Sequence, residues 1–158
     1  MKIKLLMALI VISNFCYSQL STDKNFVYVK TYKNAVNENT SSNDENDFNE
    51  VVTYLDGKGR NVQNILIKAG GNYEDIIFNN EYDHLNRKPK NFMPLAKTAN
   101  DGSFENNFNT SQSQFYNTDK YEYTLNSYQE NVYDELNPFF IREIASQGND
   151  WDLSGGKT

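Results

Sequence analysis

Val51-Val-Thr-Tyr-Leu-Asp-Gly-Lys-Gly-Arg60, running on through Asn61-Val-Gln-Asn-Ile-Leu-Ile-Lys-Ala69, decides the fold class. β-Branched, aromatic and aliphatic residues fill both arms, and side chains of this kind suit a pleated, half-buried surface. Between the arms, Asp56-Gly-Lys-Gly59 has turn chemistry: the Asp carboxylate accepts backbone N–H bonds, and Gly takes φ > 0 without a Cβ clash. Two strand-forming arms around a Gly-rich turn predict an antiparallel β-hairpin.

The turn recurs. Tyr82-Asp83-His-Leu-Asn86-Arg87 again has a tyrosine entering the turn, an Asp opening it and an Arg four residues after that Asp, and the two Asp residues lie 27 positions apart. Each position has a local task. Asp56 and Asp83 cap the turn, Gly59 and Asn86 tolerate the left-handed backbone, and Arg60 and Arg87 emerge on the return strand within reach of the Asp. Tyr133-Asp-Glu-Leu-Asn137 is a third, imperfect copy that keeps the Asn and carries Pro138 where the Arg would stand. Recurrence at such a spacing predicts stacked hairpins.

Outward from these turns, Phe26-Val-Tyr-Val-Lys-Thr-Tyr32 reads as a first strand. Lys33 to Glu50 follows as a polar, acidic loop rich in Asn and Ser. Gly70-Gly-Asn72 turns the chain into a strand from Tyr73 to Tyr82, with Ile76, Phe78 and Tyr82 on one side. Pro89 and Pro94 bracket Phe92-Met93, which is then an edge strand or extended connector. Ala99 to Asn126 is amide-rich without sustained periodicity, apart from a short helix near 111–117. The fold class expected is mainly β: antiparallel hairpins with long polar loops. The expected organisation is a signal peptide over 1–19, a first strand and acidic loop over 20–50, and a hairpin domain over 51–158 to which the strand at 26–32 also belongs. Ending on the turn signals Gly148-Asn-Asp-Trp151 and Ser154-Gly-Gly156, the chain reads as truncated at its C-terminus.

Lys2 and Lys4 precede the apolar run Leu5-Leu-Met-Ala-Leu-Ile-Val-Ile12, and Ser13 to Gln19 then turns polar with small residues at Cys16 and Ser18. That is the layout of a secretory signal peptide, and a run of that length is far short of a bilayer core. Cleavage near Ser18 or Gln19 removes Cys16, the single cysteine of the 158-residue chain. The expected address is therefore exported, either secreted or at the cell surface, with no membrane span after cleavage. An N-terminal lipid on Cys16 is disfavoured by the bulky Phe15 before it.

The 15 basic residues face 21 acidic ones, so a nucleic-acid partner held through a basic face is not expected. Apolar residues make up only 38%, but 10 Phe, 11 Tyr and one Trp supply the bulk for a core. Loss of Cys16 removes thiol chemistry. His84, the sole histidine, sits inside a turn, so no Ser-His-Asp or Cys-His arrangement is expected, and one histidine cannot make a multi-histidine metal site within one chain. The acidic loop lacks the ordered spacing of a calcium loop, and neither Gly70-Gly71 nor Gly155-Gly-Lys-Thr158 sits in phosphate-loop context. Two facing carboxylates would suffice for a glycosidase, yet no pair stands out. No catalytic residue, metal or cofactor is expected. The residues singled out are structural: Asp56, Gly59, Arg60, Asp83, Asn86 and Arg87.

The Tyr-Asp-x-x-[Gly/Asn]-Arg turn resembles the YD hairpin of RHS-repeat proteins. More specifically, Tyr54-Leu-Asp-Gly-Lys-Gly-Arg60, Ala69-Gly-Gly71, Tyr82-Asp83, Pro94-Leu-Ala96 and Gly148-Asn-Asp-Trp151, in this order, resemble the uncharacterised N-terminal domain of secreted RHS-repeat-associated proteins of Gram-negative bacteria. The resemblance runs from about Asn25 to the C-terminus and is most specific in its first half. It departs at Pro138 and in lacking the long YD array. It implies a non-catalytic β-hairpin scaffold whose partners are downstream RHS repeats or another surface protein. A free-standing carbohydrate-binding or adhesive module, gripping glycan through exposed Tyr and Trp, is the rival expectation.

Overall fold

The computed structural model describes residues 20–33 and 47–155. The expected signal peptide, most of the acidic loop and the Gly-Lys-Thr end lie outside the described residues.

Five strands form one open antiparallel sheet in the order β1 (Asn25–Tyr32), β2 (Phe48–Leu55), β3 (Asn61–Ile67), β4 (Asp75–Asn79) and β6 (Leu95–Lys97). A second antiparallel sheet has the order β5 (Lys90–Phe92), β7 (Tyr128–Tyr133), β8 (Ile141–Ala145). The protein is mainly β, and among the described residues there is one short α-helix, α1 (Phe108–Tyr116). β1 pairs along its whole length with β2, so the strand at the N-terminus is part of the same sheet as the first hairpin.

Register explains the core. Val52 on β2 faces Ile65 on β3, Ile65 faces Ile77 on β4, and Ile77 faces Leu95 on β6, giving one apolar row across four strands. All four are buried, and burying an aliphatic side chain of this size contributes about 1.5–3 kcal/mol. Phe108 joins them from α1. The helix starts three residues before the expected position, because Phe108, Gln112 and Tyr116 recur at helical spacing and all three are buried. Gln112 escapes the cost of burial by donating to the carbonyls of Met93 (3.1 Å) and Ser127 (2.7 Å).

Three local expectations change. β2 begins at Phe48, inside the expected loop, since Phe48 pairs with Tyr32 and Lys30 places its ammonium 3.4 Å from the Phe48 ring centre. The strand expected over Tyr73–Tyr82 is shorter: Tyr73 has φ 60° in the preceding turn, and β4 ends at Asn79. Ile76 and Phe78 share one side of it, and the buried side carries Asp75 and Ile77. An inward Asp is tolerated because it accepts from the backbone N–H of Lys68 (2.9 Å) and of Gly102 (2.7 Å). Finally, Asn137 does not take a left-handed φ; the third turn is wider, closing from Asp134 N–H to the Phe140 carbonyl at 2.9 Å. The Phe92 segment does form an edge strand, β5.

Candidate functional site

The two Asp–Arg turns fold alike, bond for bond. In the first, Asp56 Oδ1 accepts the backbone N–H groups of Lys58 and Arg60, each at 2.9 Å, and Asp56 Oδ2 accepts Arg60 Nε at 2.6 Å. In the second, Asp83 Oδ1 accepts Leu85 N–H and Arg87 N–H at 2.9 Å each, and Asp83 Oδ2 accepts Arg87 Nε at 2.6 Å. The backbone closes identically: Asp56 N–H on the Arg60 carbonyl (2.9 Å), Asp83 N–H on the Arg87 carbonyl (3.0 Å). Gly59 and Asn86 hold φ 76° and 63°, the left-handed region expected of them.

The carboxylates respond to these donors. Backbone and side-chain hydrogen bonds from Arg60 hold the Asp56 carboxyl below its ordinary range, with desolvation opposing. At Asp83 desolvation pushes upward, and the Arg87 backbone and guanidinium bonds together with Leu85 N–H outweigh it, so the net direction is again down.

The turns also interlock, a relation beyond the turn motif itself. Arg60 places its guanidinium carbon 4.3 Å from the Tyr82 ring centre and donates Nη1 to Asn86 Oδ1 at 2.7 Å. Arg87 does the same one step on: 4.2 Å from the Tyr133 ring centre, with Nη1 donating to the Pro138 carbonyl at 2.6 Å. Each tyrosine then hydrogen-bonds the residue following the arginine that covers it. Tyr82 Oη donates to the Asn61 carbonyl (3.0 Å), and Tyr133 Oη to the Lys88 carbonyl (3.1 Å).

Two asparagines complete the joint and were not among the expected site residues. Asn80 Nδ2 donates to the Asn61 carbonyl and Asn131 Nδ2 to the Lys88 carbonyl, both at 3.1 Å. Their backbone N–H groups reach Val62 O (2.9 Å) and Pro89 O (2.8 Å). The signal for them was present as Asn-x-Tyr-Asp at 80–83 and again at 131–134.

Tyr54 is not the counterpart of these tyrosines. It stands two residues ahead of its Asp, so strand alternation turns it to the opposite face. There it is fully buried, donating to the Gly102 carbonyl at 2.8 Å and accepting Ser21 N–H at 3.2 Å. Leu55 holds the position next to Asp56.

Away from the turns, a shallow depression of about 280 Å³ is lined by Met93, Tyr116, Tyr121, Glu122, Gln147 and Gly148. A neighbouring one of about 340 Å³ shares Glu122 and Gln147 and adds Asp150 and Trp151. Glu122, which lines both, and the adjacent Tyr123 hold left-handed φ, 53° and 52°. Burial, with Tyr121 alongside, pushes the Tyr116 hydroxyl up to about 12. His84 is an exposed turn residue. Among the described residues no helix is long and apolar enough to cross a membrane.

No curated protein and no solved structure matches the chain. A family model does, over residues 28–158, and that span contains all three turns and both sheets apart from the first residues of β1. The chain belongs to the family described as domain of unknown function DUF6443.

Proposed function

We propose that this chain is an exported, non-catalytic structural module that contributes stacked hairpins to an RHS/YD-repeat shell or cell-surface protein. The observation that carries this reading is the twofold joint, Arg60 on Tyr82 and Arg87 on Tyr133, with the same ring contact and the same Tyr Oη and Asn Nδ2 bonds each time. A joint that repeats along the chain builds an extended surface by adding units, as repeat architectures do. Asp56, Gly59, Arg60, Asp83, Asn86 and Arg87 serve that assembly by holding turn shape, and their bonds run to one another and to neighbouring backbone. An antibody against the folded domain tests the reading on fractionated cells of the producing bacterium. A band far larger than 18.3 kDa in the exported fractions is expected. A cytoplasmic species of that mass overturns it.

The second reading, a carbohydrate-binding module, is favoured by one feature: the joined depressions put Tyr121 and half-exposed Trp151 around Glu122 and Gln147. Aromatic faces beside polar groups suit sugar rings. A glycan array without a hit, repeated with Trp151→Ala as the control, eliminates it.

A further inference from the structure

Within the chain, each return strand offers its outer edge to the next ascending strand. β3 takes β4, and β5 takes β7. Counted from the residue whose carbonyl closes on the turn Asp, three successive positions make the joint. The first covers the incoming tyrosine ring (Arg60, Arg87). The carbonyl of the second accepts the incoming Tyr Oη and Asn Nδ2 (Asn61, Lys88), and that of the third accepts the Asn backbone N–H (Val62, Pro89). In the third turn the closing carbonyl belongs to Phe140, so the corresponding positions are Phe140, Ile141 and Arg142. Among the described residues β8 pairs with β7 alone, and Phe140 and Ile141 remain 60% and 38% exposed.

We infer that the outer edge of β8 at Phe140–Arg142 is a docking site for one further extended strand of the type Asn-x-Tyr-Asp, the ascending strand of another hairpin of this kind. The incoming Tyr ring packs on Phe140, its hydroxyl and the Asn side chain bond the Ile141 carbonyl, and the Asn N–H bonds the Arg142 carbonyl. Phe140 in the arginine position replaces a cation over the ring by an aromatic pair, which favours an offset or edge-to-face contact. Pro89 already occupies the third position in the second copy, which shows that this position is used only through its carbonyl. An unpaired edge with exposed apolar residues is a template for strand addition.

This inference rests on the reading of the domain as a repeat module. Its test is separate from cell fractionation, so exported protein together with a silent edge would reject the docking site alone. The probe is a synthetic peptide with the sequence of residues 126–137, Asn-Ser-Tyr-Gln-Glu-Asn-Val-Tyr-Asp-Glu-Leu-Asn. Titrated into the full chain and followed by amide NMR, it is expected to shift and protect residues 140–145. Replacing the peptide's Asn131 and Tyr133 by Ala, or Phe140→Ala in the protein, is expected to weaken binding at least tenfold. Phe140→Ala keeps both backbone bonds of the turn, and the unchanged spectrum of the first sheet verifies that the variant is folded. No shifts at millimolar peptide, equal binding by the substituted peptide, or shifts centred on another edge overturns the proposal. Protection of β8 that depends on protein concentration without peptide assigns the edge to a second copy and overturns it as well.

Discussion

Arg87 lies with its guanidinium carbon 4.2 Å from the centre of the Tyr133 ring, although β5, β6 and α1 intervene between the two in the chain. The pair reproduces the Arg60–Tyr82 contact of neighbouring hairpins, so the segment from Met93 to Ser127 is an insertion that leaves the joint intact. Arg87 also anchors Asp83 and donates to Pro138, linking three parts of the second sheet's rim through one side chain.

Replacing it tests the joint. Arg87→Ala is expected to lower stability by about 1–2 kcal/mol, from the lost ring contact and charge-assisted bonds. Arg87→Lys is expected to recover little of this, because an ammonium has no planar fork to span Asp83 and Pro138 while lying on Tyr133. Urea denaturation of the three proteins measures the difference, and equal midpoints would show that the joint is decorative.

Gly59 and Asn86 occupy the same backbone state, and substitutions there separate backbone from side-chain effects. Gly59→Val forces a β-branched residue to φ 76° and is expected to cost about 1–2 kcal/mol. Nothing lies within 4 Å of the Cβ that would be added, so the effect is one of dihedral strain and not of packing. Asn86→Gly keeps the left-handed angle and loses only the exposed bond from Arg60 Nη1, so it is expected to change the melting temperature far less. Similar losses for both would place the cost elsewhere than in the left-handed angle.

Acid should loosen both turns. Asp56 and Asp83 have folded-state pKa values below their unfolded ones, so their stabilisation is complete above the unfolded value, about 4, and is lost as pH falls through the folded values. Thermal melts from pH 6 downward are expected to show the main decline below about pH 4. In the double variant Asp56→Asn, Asp83→Asn that acid-dependent decline should shrink. An unchanged profile would mean other carboxylates govern acid unfolding.

Gly102 is the hinge of the buried polar clamp: its N–H bonds Asp75 and its carbonyl accepts from Tyr54. A Cβ there would stand 2.7 Å from Ile67 Cδ1 and 2.8 Å from Leu20 Cδ2, at φ 76°. Gly102→Ala is expected to destabilise by about 2 kcal/mol or more, combining strain with overpacking. Tyr54→Phe removes only the hydroxyl and leaves the Gly102 carbonyl unpaired, a loss of about 1–2 kcal/mol. Chemical denaturation ranks the two, and a reversed order would show that Leu20 and Ile67 yield freely.

By itself the sequence determined the features whose causes lie within a few residues: the β class, the hairpin at Asp56–Arg60, its recurrence at Asp83–Arg87, and the left-handed role of Gly59 and Asn86. Those turns are closed by bonds spanning at most four positions, so their chemistry is written in adjacent letters. Tertiary structure decided what depends on which strands meet. It turned Tyr54 inward and gave the inward side of β4 to Asp75 and Ile77, whose place follows from facing Ile65 and Leu95. It set the start of α1 by the burial of Phe108, and it joined β5 to β7 across the inserted segment. Pairings of this kind rest on contacts between distant positions, and local propensity carries no record of them. The third turn lies between the two cases. Its Asp and Asn are legible in the sequence, but only the Asp134–Phe140 closure placed an apolar side chain where arginine stands in the other two.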